Sequence, residues 1–294
     1  MALLRVIHAT IYRHSGQVPA SWQLARLRPL RTRTQVCLSF DLDIRPRPTD
    51  LAERTDFFGN TQHSFSIREP HTELAVTSTS LVRREAKALS GINDAPSIAR
   101  TIEATTAAIA DGDPTLEQFR HPTYFTPALA ETRSLAVSGE SDGCPVLEWM
   151  VRLGERFAGE FAFDPTATAV STPLSVVMRY RRGVCQDFAH AYASCARQHG
   201  LATAYVSGYL LTRPPPGQMR LRGADAMHAW VSVFVPGMGW VDYDPTNGCF
   251  VDERYVIVAR GRDYADVSPI RGFFRGAAGH TLFLGVTVEP ADEA

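Results

Sequence analysis

The sequence predicts an α+β protein, with an N-terminal β-sandwich-like domain followed by a core of helices and an antiparallel sheet. Alternating apolar and polar residues, separated by turn residues, fill the first third of the chain. Helical periodicity dominates the middle of the chain, and alternating strands return after it. Helices grouped ahead of antiparallel strands are typical of α+β architecture.

The composition is that of an ordinary globular protein with 294 residues, 45% of them hydrophobic, enough for about two domains. Thirty basic and 31 acidic side chains leave a net charge of −1, so we expect no binding to nucleic acid or membrane. Five widely spaced cysteines do not suggest a disulfide framework. Residues 1–14 lack the apolar run of a signal peptide, and we expect a cytoplasmic protein.

Three regions follow from these patterns. Residues 1–90 form the β-domain, in which residues 35–44 are the clearest strand because five apolar side chains alternate along one face. Residues 91–135 have weak helical periodicity and are interpreted as a helical or irregular linker. Residues 136–294 form the core, together with strands at the C-terminal end.

The β-domain is rich in arginine, and two interpretations of these side chains remain open. They could form an anion-binding face, or they could lie along a solvated sheet edge. We favour the edge because no aromatic residues are interleaved with them. The arginines concerned are Arg26, Arg28, Arg31, Arg33, Arg45 and Arg47.

The core region begins with helices and continues with strands. Apolar residues recur at helical spacing in residues 145–157, in a short segment over 172–180, and in residues 183–200. Strand patterns follow over residues 202–211, 229–235, 240–243, 255–259 and 281–288.

Cys185 lies at the start of the predicted helix over residues 183–200. Unpaired backbone amides at a helix start favour negative charge, and a thiol there is biased toward the nucleophilic thiolate. A small buried core residue is an equally good interpretation of a cysteine taken alone. The choice between the two depends on a histidine partner.

His228 is the best partner among nine histidines. His190 follows Cys185 by five residues, about 140° round the helix, and so points elsewhere. His228 begins a strand, and the next strand carries two aspartates. A five-residue hairpin loop would place His228 directly opposite Asp244, whereas a loop one residue shorter would place Asp244 opposite Ala229.

Asp242 shares a sheet face with Asp244 but lies two residues closer to the turn, so Asp244 is the better residue to orient the histidine. Cys185, His228 and Asp244 therefore form a candidate catalytic triad.

Other chemistries have weaker support. Residues 139–143 match the pattern of a hydrolase nucleophile elbow, but they lie in a polar loop rather than between a buried strand and a helix. No closely spaced cysteines or histidines suggest a metal site, and no glycine-rich phosphate loop is present in the sequence. We expect no cofactor.

Several blocks of sequence resemble the bacterial members of the transglutaminase-like superfamily of papain-like cysteine enzymes. The N-terminal half resembles the β-rich region that accompanies those members, so the resemblance covers nearly the whole chain. The core blocks are Gly183-Val184-Cys185-Gln186-Asp187-Phe188-Ala189-His190, His228-Ala229-Trp230, Gly239-Trp240 and Asp244-Pro245-Thr246-Asn247-Gly248. The N-terminal blocks are His8-Ala9-Thr10-Ile11-Tyr12, Leu27-Arg28-Pro29 and Asp56-Phe57-Phe58-Gly59-Asn60.

This resemblance implies a papain-like core in which Cys185 is the nucleophile, His228 the base and Asp244 the residue that orients it. It implies hydrolysis or acyl transfer at an amide or isopeptide bond of a peptide or protein, through a thioester and without a cofactor. It also suggests peptide-ligating enzymes as functional partners. The alternative is a non-catalytic binding module that retains the triad. Candidates for the substrate cleft are Trp230, Trp240, Gln186 and Asn247, although packing is the favoured role of the two tryptophans.

Overall fold

The computed structural model describes residues 1–86, 89, 91–137, 143–212, 227–276 and 279–292. In this part of the chain, 25% of the residues are helical and 44% lie in strands. The helices lie between two groups of antiparallel strands, and the α+β class with a β-rich N-terminal region is confirmed.

The N-terminal domain is a sandwich of two antiparallel sheets. One sheet has the strand order β15-β1-β6-β3 and the other has the order β14-β2-β5-β4. Both sheets contribute to the apolar layer between them, for example through Val76 of β6 and Ile67 of β5. The strands are β1 (Ala2–Val18), β2 (Ala20–Ala25), β3 (Gln35–Arg45), β4 (Asp50–Thr55), β5 (Thr61–Ile67), β6 (His71–Arg84), β14 (Ile270–Arg275) and β15 (His280–Pro290).

The last two strands differ from the sequence-based division, which placed all of residues 136–294 with the core. β15 pairs antiparallel with β1, and β14 pairs with β2. Val286 and Val288 of β15 are fully buried, and they pack in the apolar cluster that also contains the helices of the core. An alternating pattern predicts a half-buried strand but does not specify its partner, so the N-terminal sheets could take strands from the far end of the chain.

Seven α-helices lie in the described residues. α1 and α2 fall in the stretch interpreted as a linker, yet Ile98 is fully buried and Leu116 is 3% exposed, so this stretch packs as part of the fold. The helices are α1 (Ile98–Ala110), α2 (Pro114–Gln118), α3 (Ala130–Val137), α4 (Val146–Glu160), α5 (Leu174–Tyr180), α6 (Cys185–Gln198) and α7 (Tyr264–Val267). No helix in this part of the chain has the length and apolar character needed to cross a membrane.

The core sheet packs against α6, whose side chains are buried from Asp187 to Arg197. Its five strands have the order β12-β11-β10-β9-β13. A two-stranded parallel pair, β7 with β8, leads into α6. The strands are β7 (Ala162–Phe163), β8 (Arg182–Gly183), β9 (Thr203–Leu210), β10 (Met227–Val235), β11 (Gly239–Asp244), β12 (Cys249–Phe250) and β13 (Tyr255–Gly261).

Candidate active site

Cys185 is the first residue of α6, and the chain before it is held tightly. The carboxylate of Asp187 accepts hydrogen bonds from the Val184 amide at 2.9 Å and from Thr168 Oγ1 at 2.6 Å. A Cβ on Gly183 would lie 2.6 Å from that carboxylate, so only glycine fits at this position. These contacts fix the start of the helix, where Cys185 is partly exposed.

His228, near the start of β10, connects Cys185 to Asp244. Its Nε2 donates a hydrogen bond to Asp244 Oδ2 at 2.7 Å, and Cys185 lies close enough to raise the pKa of the imidazole. Asp244 is fully buried, while 12% of the His228 side chain is exposed. The three residues predicted from the sequence therefore lie together in the order thiol, imidazole and carboxylate.

The charged form of His228 is strongly favoured. Burial opposes its protonation, but hydrogen bonds and charge attraction to Asp244 and Cys185 outweigh burial and raise its pKa to about 10. Burial likewise opposes ionisation of Asp244, but hydrogen bonds and the charge of His228 prevail and lower its pKa. The geometry thus favours an imidazolium held between the buried carboxylate of Asp244 and the sulfur of Cys185.

The predicted strand register is wrong by two residues. Val235 pairs with Gly239, which leaves a three-residue loop and places Asp244 opposite Trp230. Gly237 and Gly239 both have positive φ and permit this tighter turn. Because side chains alternate with period two, the shift keeps Asp244 on the same face as His228, and the two meet as diagonal neighbours.

Asp244 accepts hydrogen bonds from several groups besides His228. The Thr246 amide donates to Oδ1 at 2.9 Å, and the Asn247 amide donates to the same oxygen at 3.3 Å. Asn247 Nδ2 donates to Oδ2 at 2.6 Å, and the Tyr255 hydroxyl donates to Oδ2 at 2.9 Å. These donors satisfy the buried carboxylate and hold it against the imidazole.

Tyr255 is the member of this group that the sequence did not reveal. It begins β13, which lies at the opposite edge of the core sheet from β12. An apolar strand pattern gives no sign that one tyrosine hydroxyl reaches a carboxylate on another strand. Asn247, predicted as a cleft residue, is instead placed to hold Asp244.

The remaining cleft candidates occupy different surroundings. Trp230 is fully buried and packs edge to face on Tyr255, with ring centroids 5.4 Å apart, so a cleft role for it is wrong. Trp240 lies four residues before Asp244, about 13 Å along the strand, and packs against Phe119 and Phe234. Gln186 follows Cys185 directly and donates to the Val170 carbonyl at 3.1 Å.

The alternatives to His228 and Asp244 that the sequence offered, His190 and Asp242, have other partners. His190 is buried, stacks on Phe125 and accepts a hydrogen bond from the Tyr264 amide at 3.1 Å. Burial lowers its pKa to about 3, which keeps it neutral. Asp242 pairs with Arg260 at 3.2 Å rather than with a histidine.

No set of three metal-binding side chains comes together among the described residues. The possible nucleophile elbow over residues 139–143 falls almost wholly outside the described residues, which resume at Gly143.

We predict that Tyr255→Phe lowers the free energy of unfolding by about 1.5 to 3 kcal/mol, the range for a hydrogen bond to a charged group. The substitution removes one donor from a buried carboxylate and leaves the ring in place. Urea denaturation at pH 7 measures the change. Tyr243→Phe is the matched control, because the buried Tyr243 hydroxyl has no hydrogen-bond partner among the described residues. An equal loss in both variants would contradict the role of Tyr255.

Comparison with known proteins gives the family. Residues 4–83 match the model of the bacterial transglutaminase-like N-terminal region, and residues 136–245 match that of the transglutaminase-like superfamily. An uncharacterized protein of Mycobacterium tuberculosis is 37% identical over 293 residues, covering 97% of this chain and 92% of the relative. Another, from Mycobacterium leprae, is 32% identical over 289 residues, covering 97% of this chain and 98% of the relative.

A solved structure shows the same fold. The crystal structure of a proposed cysteine protease from Cytophaga hutchinsonii aligns with a TM-score of 0.72 at 18% identity, covering 100% of this chain and 92% of that one. The chain belongs to the transglutaminase-like superfamily.

Proposed function

We propose that this protein is a cysteine-dependent enzyme that hydrolyses or transfers the acyl group of an amide or isopeptide bond in a peptide or protein. The observation that carries this proposal is that Cys185 lies beside His228, whose imidazole is hydrogen-bonded to the buried Asp244. A thiol beside an oriented imidazole is the arrangement that nucleophilic catalysis requires.

The reaction has two halves. In the first, His228 holds the proton of Cys185 while the sulfur attacks the carbonyl carbon, and His228 then gives that proton to the departing amine. The carbon–nitrogen bond breaks and a thioester to Cys185 remains. In the second half, water or an amine attacks the thioester, His228 takes the proton of the attacking group, and the sulfur leaves as a thiolate beside the protonated imidazole, which restores the starting state.

The start of α6 supplies a group for the oxyanion that forms during each attack. The amides of the first helical turn have no acceptor within the helix, and the Cys185 amide is among them. We propose this amide as an oxyanion donor. Asp244 remains ionised and keeps the imidazole in position.

The surface near Cys185 suits a peptide. Phe163 of β7 pairs with Gly183, two residues before Cys185, and 57% of Phe163 is exposed. Val170, whose carbonyl holds Gln186, is 52% exposed. Exposed apolar side chains beside a nucleophile favour a substrate with apolar residues. Peptide-ligating enzymes as partners and a cytoplasmic location both stay predictions from the sequence.

Trapping of the acyl-enzyme tests this proposal. We expect incubation with a library of peptide amides to add an acyl group to the intact protein, seen by mass spectrometry and located on Cys185 by peptide mapping. Hydroxylamine should remove the group as a hydroxamate, because an acyl thioester reacts with a better nucleophile than water. Cys185→Ser should show neither product, whereas Cys37→Ser, a change on β3, should show both.

The binding-module alternative makes a different prediction. Such a module would bind peptides with the same affinity in the wild type and in Cys185→Ser, and no adduct would form in either protein. If peptides bind at micromolar Kd, about −8 kcal/mol, and never acylate Cys185, the enzyme proposal is wrong.

A further inference from the structure

A cavity of about 560 Å³ lies where the β-domain meets the core sheet. One wall is formed by residues 32–34, between β2 and β3, together with Arg84 at the end of β6. The opposite wall is formed by β11, β12 and β13. Its volume is in the range of sites that hold small molecules. None of Cys185, His228 and Asp244 lines it.

Positive charge dominates the lining. Three arginines and one aspartate face the cavity: Arg33, Arg84, Arg260 and Asp242. The single carboxylate is already engaged, because both of its oxygens accept hydrogen bonds from Arg260 Nη2, at 3.2 and 3.3 Å. The cavity therefore keeps an excess of positive charge that an anion could neutralise.

Arg84 is a buried cation without a carboxylate partner in the described part of the chain. It is 2% exposed, and its Nε donates to the Tyr255 carbonyl at 3.0 Å. Its Nη1 donates to the carbonyl and the hydroxyl of Thr34. Burial lowers its pKa, as does the nearby charge of Arg260, although Asp242, Asp252 and Glu253 attract its charge without forming an ion pair with it. A buried cation held mainly by neutral groups is costly, and a bound anion would offset that cost.

Arg260 contributes an unused donor. Its Nε is buried and has no hydrogen-bond partner among the described residues. Its guanidinium lies over the ring of Trp240, 5.7 Å from the centroid. A planar guanidinium with a free donor matches the oxygens of a carboxylate or a phosphate.

The other walls are apolar. Met238, Trp240 and Phe250 face the same space as the arginines. A ligand with an apolar body would cover the parts of these side chains that face the cavity, whereas an inorganic ion would leave them facing water. The lining thus combines a place for an oxyanion with a place for a hydrophobic group.

We propose that this cavity binds a small organic carboxylate with an apolar body, such as the end of a peptide whose last residue is apolar. Arg33 at the mouth and Arg260 inside contact the carboxylate, and the apolar walls contact the body. Arg33 is exposed, as the solvated-edge interpretation of the β-domain arginines expects, and it also lines this cavity. A link to the triad also exists, because Arg84 holds the carbonyl of Tyr255 and the hydroxyl of Tyr255 holds Asp244.

Isothermal titration calorimetry with 3-phenylpropionate tests the site. We expect saturable binding of one molecule to the wild-type protein, and no binding of the neutral analogue 3-phenyl-1-propanol. Arg33→Gln should weaken binding about threefold, as expected for an exposed charge. Arg31→Gln is the matched control, since Arg31 is exposed but does not line the cavity, and it should leave the Kd unchanged.

A second variant tests the interior of the cavity. Arg260→Lys keeps the charge opposite Asp242 but removes the planar fork and the Nε donor, so binding should weaken about tenfold. Circular dichroism checks that the variant is folded.

Three results would overturn the proposal. These are no saturable binding, equal weakening by Arg31→Gln and Arg33→Gln, and binding of inorganic phosphate as tight as that of 3-phenylpropionate, since the apolar walls would then contribute nothing. The measurement needs no turnover, so its outcome is separate from that of the proposed catalytic activity.

Discussion

Replacement of Cys185 or His228 by alanine is expected to reduce turnover of a peptide amide by about 10⁴-fold or more. The first change removes the atom that forms the thioester, and the second removes the group that carries the proton. Because the two residues act in the same step, the double variant should lose little more than either single variant. Steady-state kinetics on a substrate found by acyl-enzyme trapping measures these losses.

Asp244→Ala is expected to be milder in the same assay, because Asp244 orients His228 without forming or breaking a bond. Asp252→Ala is the control, since Asp252 pairs with Arg254 at the surface rather than with a histidine, and its turnover should match the wild type. A loss in Asp252→Ala as large as that in Asp244→Ala would contradict the assignment of Asp244. Full additivity of the Cys185 and His228 losses would contradict their action as a unit.

The pKa of His228 is expected to fall by several units in Asp244→Asn. Burial alone lowers this pKa below its usual 6.5, and the value of about 10 exists because the hydrogen bond and charge of Asp244, with a contribution from Cys185, outweigh burial. The amide of asparagine removes the charge while keeping the shape. At pH 9, a fall from about 10 to about 6.5 would reduce the charged fraction of His228 by more than 10²-fold.

Titration of the His228 ring by NMR measures this pKa without a substrate. His190, whose pKa is about 3, should stay neutral from pH 5 to pH 9 in both proteins and serves as the internal control. A pKa near 6.5 for His228 in the wild type would contradict the claim that the hydrogen bond and charge of Asp244 raise it.

The same pKa sets a stability window. Because the folded value of about 10 lies above the unfolded value of about 6.5, charged His228 stabilises the fold fully below pH 6.5, and this contribution is lost as the pH rises to about 10. In Asp244→Asn, the free energy of unfolding should fall much less over the same pH range. Urea denaturation at pH 6 and pH 9.5 compares the two proteins, and an identical change in both would contradict this origin of the stability.

Local sequence was enough to predict where Cys185, His228 and Asp244 lie on their own helix and strands. The helical spacing after Gly183 placed Cys185 at a helix start, and α6 begins there. Strand alternation placed His228 and Asp244 on one face of neighbouring strands, where they lie in the structure. Both inferences depend only on the periodicities of the helix and the strand, which a single stretch of sequence contains.

Contacts between distant parts of the chain were beyond such reasoning. The hairpin loop has three residues rather than four or five, because the positive φ of Gly237 and Gly239 allows a tighter turn. The predicted shared face of His228 and Asp244 is correct despite this error, because the register moved by an even number of residues. Burial of Trp230 and the hydrogen bond from Tyr255 to Asp244 depend on how β13 meets the rest of the sheet.

The sequence by itself determined the class of fold, the position of Cys185 at the start of a helix, and the shared face of His228 and Asp244. Only the tertiary structure decided that β14 and β15 join the N-terminal sheets, that Tyr255 holds Asp244, and that Arg33, Arg84 and Arg260 face one cavity. The physical reason is that periodicity indicates which face of a helix or strand is buried. Which other element packs against that face depends on the packing of the whole chain.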